Sequence, residues 1–223
     1  MPTSVNPVPG DEARSRNRGR RVDSRATRER LLAAVGRLLD NGHEDPTLQA
    51  VAEEAGVSTA TAYRYFRSAE DAIFTYTVGF PDAVGAAFAE REAGERGVER
   101  LALYARTWVE LVDDWGTPLV HLRSTEGFLA RRAAGERVIG AVCAHIEEPM
   151  REALEELGVD PEALPFALFL WNTIYDPREI LDLRRTLRWT RTRIERALFE
   201  ALLGGIARAG APQGDGRRRR RAA

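Results

Sequence analysis

Apolar residues recur at intervals of three and four along most of this chain, and no sustained apolar–polar alternation runs between turn signals. The pattern predicts an all-α protein. Its first clear stripe, Leu31, Leu32, Val35, Leu38 and Leu39, follows Asp23 and Ser24, either of which can cap a helix, and closes at Asn41-Gly42. After Pro46, Thr47 can cap a short helix with Leu48, Val51, Ala52 and Ala55 on one face, closed by Gly56, and another short helix starts at Ser58. Ser68-Ala-Glu-Asp71 is a Ser-x-x-acid capping pattern ahead of Ile73, Phe74 and Val78.

Beyond Pro81 the periodic segments lengthen. Leu101, Tyr104, Trp108, Leu111 and Trp115 form a core-facing stripe over residues 98–115. Further helices are expected over 118–132, over 136–157 with a kink or break at Pro149, and over 161–175. Asp176-Pro177-Arg178-Glu179 supplies an N-cap, a proline at the first helical position and an acid, and the last helix spans 190–209.

The two ends fall outside this pattern. Residues 1–22 are rich in Pro, Gly, Asn and Arg and read as a disordered arm; residues 210–223 read as a disordered basic tail. Between them lie a small unit, 23–80, and a larger one, 81–209. Charge sharpens this division: the net charge of -1 conceals +6 over residues 14–30, five consecutive Arg at 217–221 and -6 over 77–216. All basic residues are Arg, which codon bias accounts for, although Arg is also the better fork for phosphate. With no continuous apolar run of about 18 residues and no signal-type N-terminus, neither a membrane span nor export is expected, and the location expected is cytoplasmic. A single cysteine, Cys143, excludes an intramolecular disulfide and argues against a structural zinc site.

Residues 47–66, TLQAVAEEAGVSTATAYRYF, have helix-turn-helix spacing. Ala52 is small where two helices approach, Gly56 permits a left-handed turn, and Val57 plugs the core beneath. Such a unit leaves the outer face of its second helix free for a DNA groove, where Thr59, Thr61, Tyr63, Arg64 and Arg67 suit phosphate oxygens and base edges and Ala60 allows close approach. Phe66 is expected in the core and Tyr65 partly so.

ATRERLLAAVGRLLDNG, LQAVAEEAGVS and TAYRYFRSAEDAI, with Tyr63 and Phe66 as a Tyr-x-x-Phe element, make residues 24–80 resemble the DNA-binding domain of the TetR family of bacterial transcriptional regulators. The resemblance implies that Thr47, Tyr63 and the helix start around Ser58 and Ser68 lie at the DNA backbone, and Gln49, Thr59, Ala60, Thr61 and Arg64 near base edges. The chain departs from the family where it carries Ala69 in place of a phosphate-contacting Lys and Ala62 in place of a larger aliphatic residue. The Arg-rich arm is a candidate source of replacement phosphate contacts.

For the larger unit the resemblance implies only an architecture, a helical ligand-binding and dimerisation domain. Its last two long helices would pair with a second copy, with Phe166, Phe169, Leu170, Ile194, Leu198 and Leu202 as interface candidates. Polar and aromatic residues on the apolar helices nominate Trp108, Trp115, His121, Arg123, Phe128, Cys143, His145, Trp171, Asn172 and Tyr175 for a pocket taking a hydrophobic or aromatic effector. The partners implied are double-stranded operator DNA, a small-molecule effector and a second copy of the chain; no cofactor or metal is implied. An enzyme is disfavoured, because no nucleophile elbow, P-loop, dinucleotide fingerprint or zinc-binding His pair is present. A helical partner-binding protein with a degenerate DNA reader is the alternative.

Overall fold

The structure is a computed structural model that describes residues 9–43, 45–116, 119 and 126–210. The described residues are helical throughout, without strands: α1 (Pro9–Asp40), α2 (Leu48–Glu54), α3 (Thr59–Tyr65), α4 (Ala69–Thr77), α5 (Gly79–Arg91), α6 (Gly97–Trp115), α7 (Phe128–Ala133), α8 (Arg137–Glu156), α9 (Leu164–Ile174), α10 (Pro177–Arg185) and α11 (Arg191–Gly210). The chain divides into two compact units between Tyr76 and Thr77, four residues before the expected boundary at 80.

The first unit is built on α1, whose length corrects one expectation. Residues 9–22 of the supposed arm are helical and continuous with the stripe that follows, so Asp23 and Ser24 lie inside a helix rather than at its start. Pro9 sits at the first helical position, and no proline interrupts the strong helix formers before Pro46. Residues 1–8 lie outside the described residues. The helix ends as expected, with the amides of Gly42 and His43 donating to the carbonyls of Leu39 and Leu38 at 3.1 Å each. Leu31, Val35 and Leu39 then pack with Leu48, Val51, Ala52, Ala62 and Phe66 into one core.

The second unit is centred on α6, against which α5, α8, α10 and α11 pack; α9 lies on α8 and α11. Two carboxylates of α8 cap the start of α6, the Gly97 amide donating to Glu152 at 3.0 Å and the Val98 amide to Glu156 at 2.8 Å. Arg100 joins Glu152 at 2.7 Å and also pairs with Glu92, so the α6–α8 seam is ionic at one end. At the other end Asp113 accepts from Arg184 of α10 and Arg191 of α11 at 3.1 and 3.2 Å.

Three further expectations change in this unit. Helix α8 passes through Pro149 without a break, because Ile146, Met150, Ala153 and Leu154 on both sides of it are buried in the same core. The expected 118–132 helix is confined to α7 among the described residues. The stretch Ala69–Arg91, interrupted at Val78, is apolar and long enough to meet a membrane-span criterion, contrary to the sequence reading, yet half of it is buried inside the protein. Its Phe80, Val84 and Phe88 belong to the core, which explains the hydropathy.

Candidate nucleic-acid interface

Two caps set the geometry of the reading head. Thr47 accepts from the Ala50 amide at 3.2 Å and starts α2; Ser58 accepts from the Thr61 amide at 3.1 Å and starts α3. Gly56 joins them with φ +65°, a left-handed conformation that side-chain-bearing residues avoid. Ala52 is 1% exposed and Ala62 0%, so both helices meet through small residues. Ala62, the first departure from the family pattern, is therefore a packing position in the reader core rather than part of its outer face.

Tyr63 is 60% exposed, and Thr47, Gln49, Ser58, Ala60, Arg64, Arg67 and Ser68 are exposed with it. Thr59 is half-buried. Thr61 is also half-buried, and its hydroxyl is engaged with Ser58 Oγ at 2.8 Å, so this candidate stiffens the start of α3 as well as facing outward. Phe66 is buried beneath the Arg28 guanidinium, 5.7 Å from its ring centre, while Tyr65 is half-buried and donates to Ser24 at 3.2 Å.

A capping box fixes the segment after α3. The Asp71 amide donates to Ser68 Oγ at 3.2 Å, and Asp71 in turn accepts from the Arg67 amide at 2.9 Å. Ala69, the second departure, opens α4 and packs against the reader core. Elsewhere in this unit Arg25 pairs with Glu29 and Arg37 with Glu54, whereas no acid among the described residues engages the Arg64 or Arg67 side chain. The α3 face thus offers two uncompensated guanidiniums, a phenol and hydroxyls, groups that donate to phosphate oxygens and base edges.

The second unit sorts its candidates differently. Trp108, Trp171, Asn172 and Tyr175 line a cavity of only about 30 Å³, beside which Ile139 separates off a groove of about 570 Å³ between α7 and α8 that Cys143 lines. Trp115 instead packs edge-on to Phe80 at 5.4 Å, and Phe128 is buried in the core; neither lines these spaces, because core packing consumes their rings. His145 stands 3.6 Å from Asp82, and its ring occupies the space a side chain at Gly85 would need. His121 and Arg123 lie outside the described residues. No group of three or more metal-ligating side chains occurs among the described residues.

Of the interface candidates, Phe166 and Phe169 are 44% and 37% exposed with rings stacked 6.0 Å apart, and Leu170 and Leu198 are half-buried. Ile194 and Leu202 are 0% exposed and belong to the unit's own core, which removes them as interface contacts. The exposed side of α11 near Leu170 is small instead: Ala201 and Gly204 are exposed, and Gly205 leaves no room for a Cβ beside Leu170.

A tight two-helix reader with a polar outer face, followed by a separate helical unit, defines a helix-turn-helix DNA-binding regulator. Residues 31–71 match the profile of the bacterial regulatory proteins of the tetR family. The chain is a TetR-family transcriptional regulator. Its fold is similar to that of the fatty acid degradation regulator FadR from Bacillus halodurans, with a TM-score of 0.57 at 17% identity over 80% of this chain and 95% of that one. A tetR-family transcriptional regulator from Streptomyces coelicolor gives a TM-score of 0.54 at 20% identity, covering 85% of this chain and 91% of its own. No curated protein matches the chain in sequence.

Proposed function

We propose that the protein is a repressor that binds a palindromic operator as a homodimer and leaves it when a small molecule occupies the second unit. The observation that carries this reading is the α3 face, where Tyr63, Arg64 and Arg67 stand exposed around two capped helix starts, with neither guanidinium engaged by an acid. Thr47, Ser58, Tyr63 and Ser68 hold phosphates; Gln49, Thr59, Ala60, Thr61 and Arg64 lie at base edges; Arg67 adds a charge at the groove rim. Exposed Phe166 and Phe169, with Leu170 and Leu198, form the contact with a second copy, which spaces two α3 helices roughly one DNA turn, about 34 Å, apart. Such a regulator works in the cytoplasm.

The +6 charge of residues 14–30 supports a role for the N-terminal segment as an extra phosphate-binding element. Deleting residues 1–21 is expected to weaken operator binding and flatten its dependence on salt; unchanged affinity and slope would remove the segment from the interface. Gel shifts with the protein's own promoter region test the reading as a whole. Binding that is saturable, salt-sensitive and specific to a palindrome supports it. Its absence from a folded protein favours a partner-binding role with a degenerate reader.

A further inference from the structure

The second unit buries two hydroxyls that have nothing to bond. Tyr104 is 0% exposed and Tyr175 1%, and neither phenolic oxygen has a hydrogen-bond partner. Buried polar groups are overwhelmingly paired, so two orphans in one cluster point to an acceptor from elsewhere. The surroundings are aromatic on every side. The Tyr175 ring stacks on Trp171 at 3.9 Å and 12°; Trp171 lies 5.4 Å from Tyr104 and 5.7 Å from Trp108.

The box adjoins an open space. Ile139 lines both the small cavity bounded by Trp108, Trp171 and Tyr175 and the groove of about 570 Å³ between α7 and α8. That side chain is the partition between them, and the groove volume falls in the range of small-molecule sites, roughly 300–1,000 Å³. The charges lining both spaces are internally matched. Arg131 is held by two bonds to Glu136, and Arg132 pairs with Glu147 at 2.6 Å, which leaves no uncompensated charge for an ionic ligand.

We propose that the box binds neutral, flat aromatic molecules carrying hydrogen-bond acceptors, which enter from the α7–α8 groove past Ile139 and receive hydrogen bonds from the Tyr104 and Tyr175 hydroxyls. Flat rings enter because they replace ring-on-ring contacts in kind, and the acceptors satisfy the two orphaned donors. The site stands on this geometry alone; its effect on DNA rests on the effector reading above.

The probe is 3-hydroxyflavone, neutral, planar and carbonyl-bearing, titrated into the full chain while tryptophan emission is followed. Saturable quenching is expected, because Trp108 and Trp171 form the walls. Tyr104→Phe and Tyr175→Phe should each weaken binding about tenfold without lowering the melting temperature, since they delete a hydroxyl that has no partner. Gly140→Leu provides a variant that keeps the fold: a Cβ there meets nothing within 4 Å, so the side chain fills the groove, and binding should be lost. Three results would overturn the proposal: no quenching of the parent protein, undiminished affinity in both Phe variants, or saturable binding of a fatty acid such as palmitate in place of the flavone. If the flavone binds but leaves operator affinity unchanged, the site stands and the effector reading fails.

Discussion

Tyr63 is the most exposed aromatic ring of the protein, at 60%, in a helix whose other side meets the core through Ala62. A residue placed there by packing would be covered, so its exposure is the physical signature of a contact surface. Tyr63→Ala and Arg64→Ala should each change thermal stability by less than about 0.5 kcal/mol while reducing operator affinity about tenfold or more. Equal losses on operator and random DNA would assign the residue to phosphate, and a larger loss on operator would assign it to bases. Tyr76 yields a pH prediction. Its hydroxyl is pushed up to about 12, first by burial and then by the charge of Asp40. A folded-state pKa above the ordinary 10.0 means that its contribution is complete below pH 10 and is lost as pH rises towards 12. The reader is therefore expected to lose stability on the alkaline side, measurable by circular dichroism, and Tyr76→Phe should flatten that loss.

Gly97 shows how much an element start can depend on distant residues. It has φ +55°, and a Cβ would lie 1.8 Å from a Glu156 oxygen, so Gly97→Ala combines backbone strain with a collision against the carboxylate that caps the Val98 amide. A loss of about 2–4 kcal/mol is expected by denaturant unfolding, against about 1 kcal/mol for Glu156→Ala, which removes only the cap. At the start of α8, the bonds from Arg131 hold the Glu136 carboxyl below its ordinary 4.5, so that contribution is present above this value and fades as pH falls. Such tertiary caps were not legible in the sequence, where Arg96-Gly97 carries no capping signal. The reader was legible because its determinants are local: Thr47, Gly56, Ser58 and Ser68 act on amides within three residues. Pro149 was misread for the opposite reason, since burial on both sides overrides the local break. The Arg-rich start of α1 was read as disordered because its helix shows no apolar stripe.

At the scale of the molecule, the sequence located a helical second unit but misassigned much of its apolar surface. Ile194 and Leu202 share the periodicity of Leu198, and only the packing of α11 on α6 and α9 shows which of them face inward. What remains exposed, Phe166 and Phe169, is the patch proposed for self-association. Phe166→Asp with Phe169→Asp should shift the protein towards monomer in sedimentation velocity and weaken operator binding, leaving the helical content unchanged; a monomeric parent protein would refute the dimer. The central claim is that the α3 face reads DNA. The most direct measurement is fluorescence anisotropy with the protein's own promoter fragment and a scrambled fragment, at two salt concentrations, for the parent chain and Arg64→Ala. Saturable binding that prefers the promoter, weakens with salt and falls about tenfold or more on substitution is the predicted result. Equal affinity for both fragments, or an Arg64→Ala variant that binds as the parent does, would contradict it.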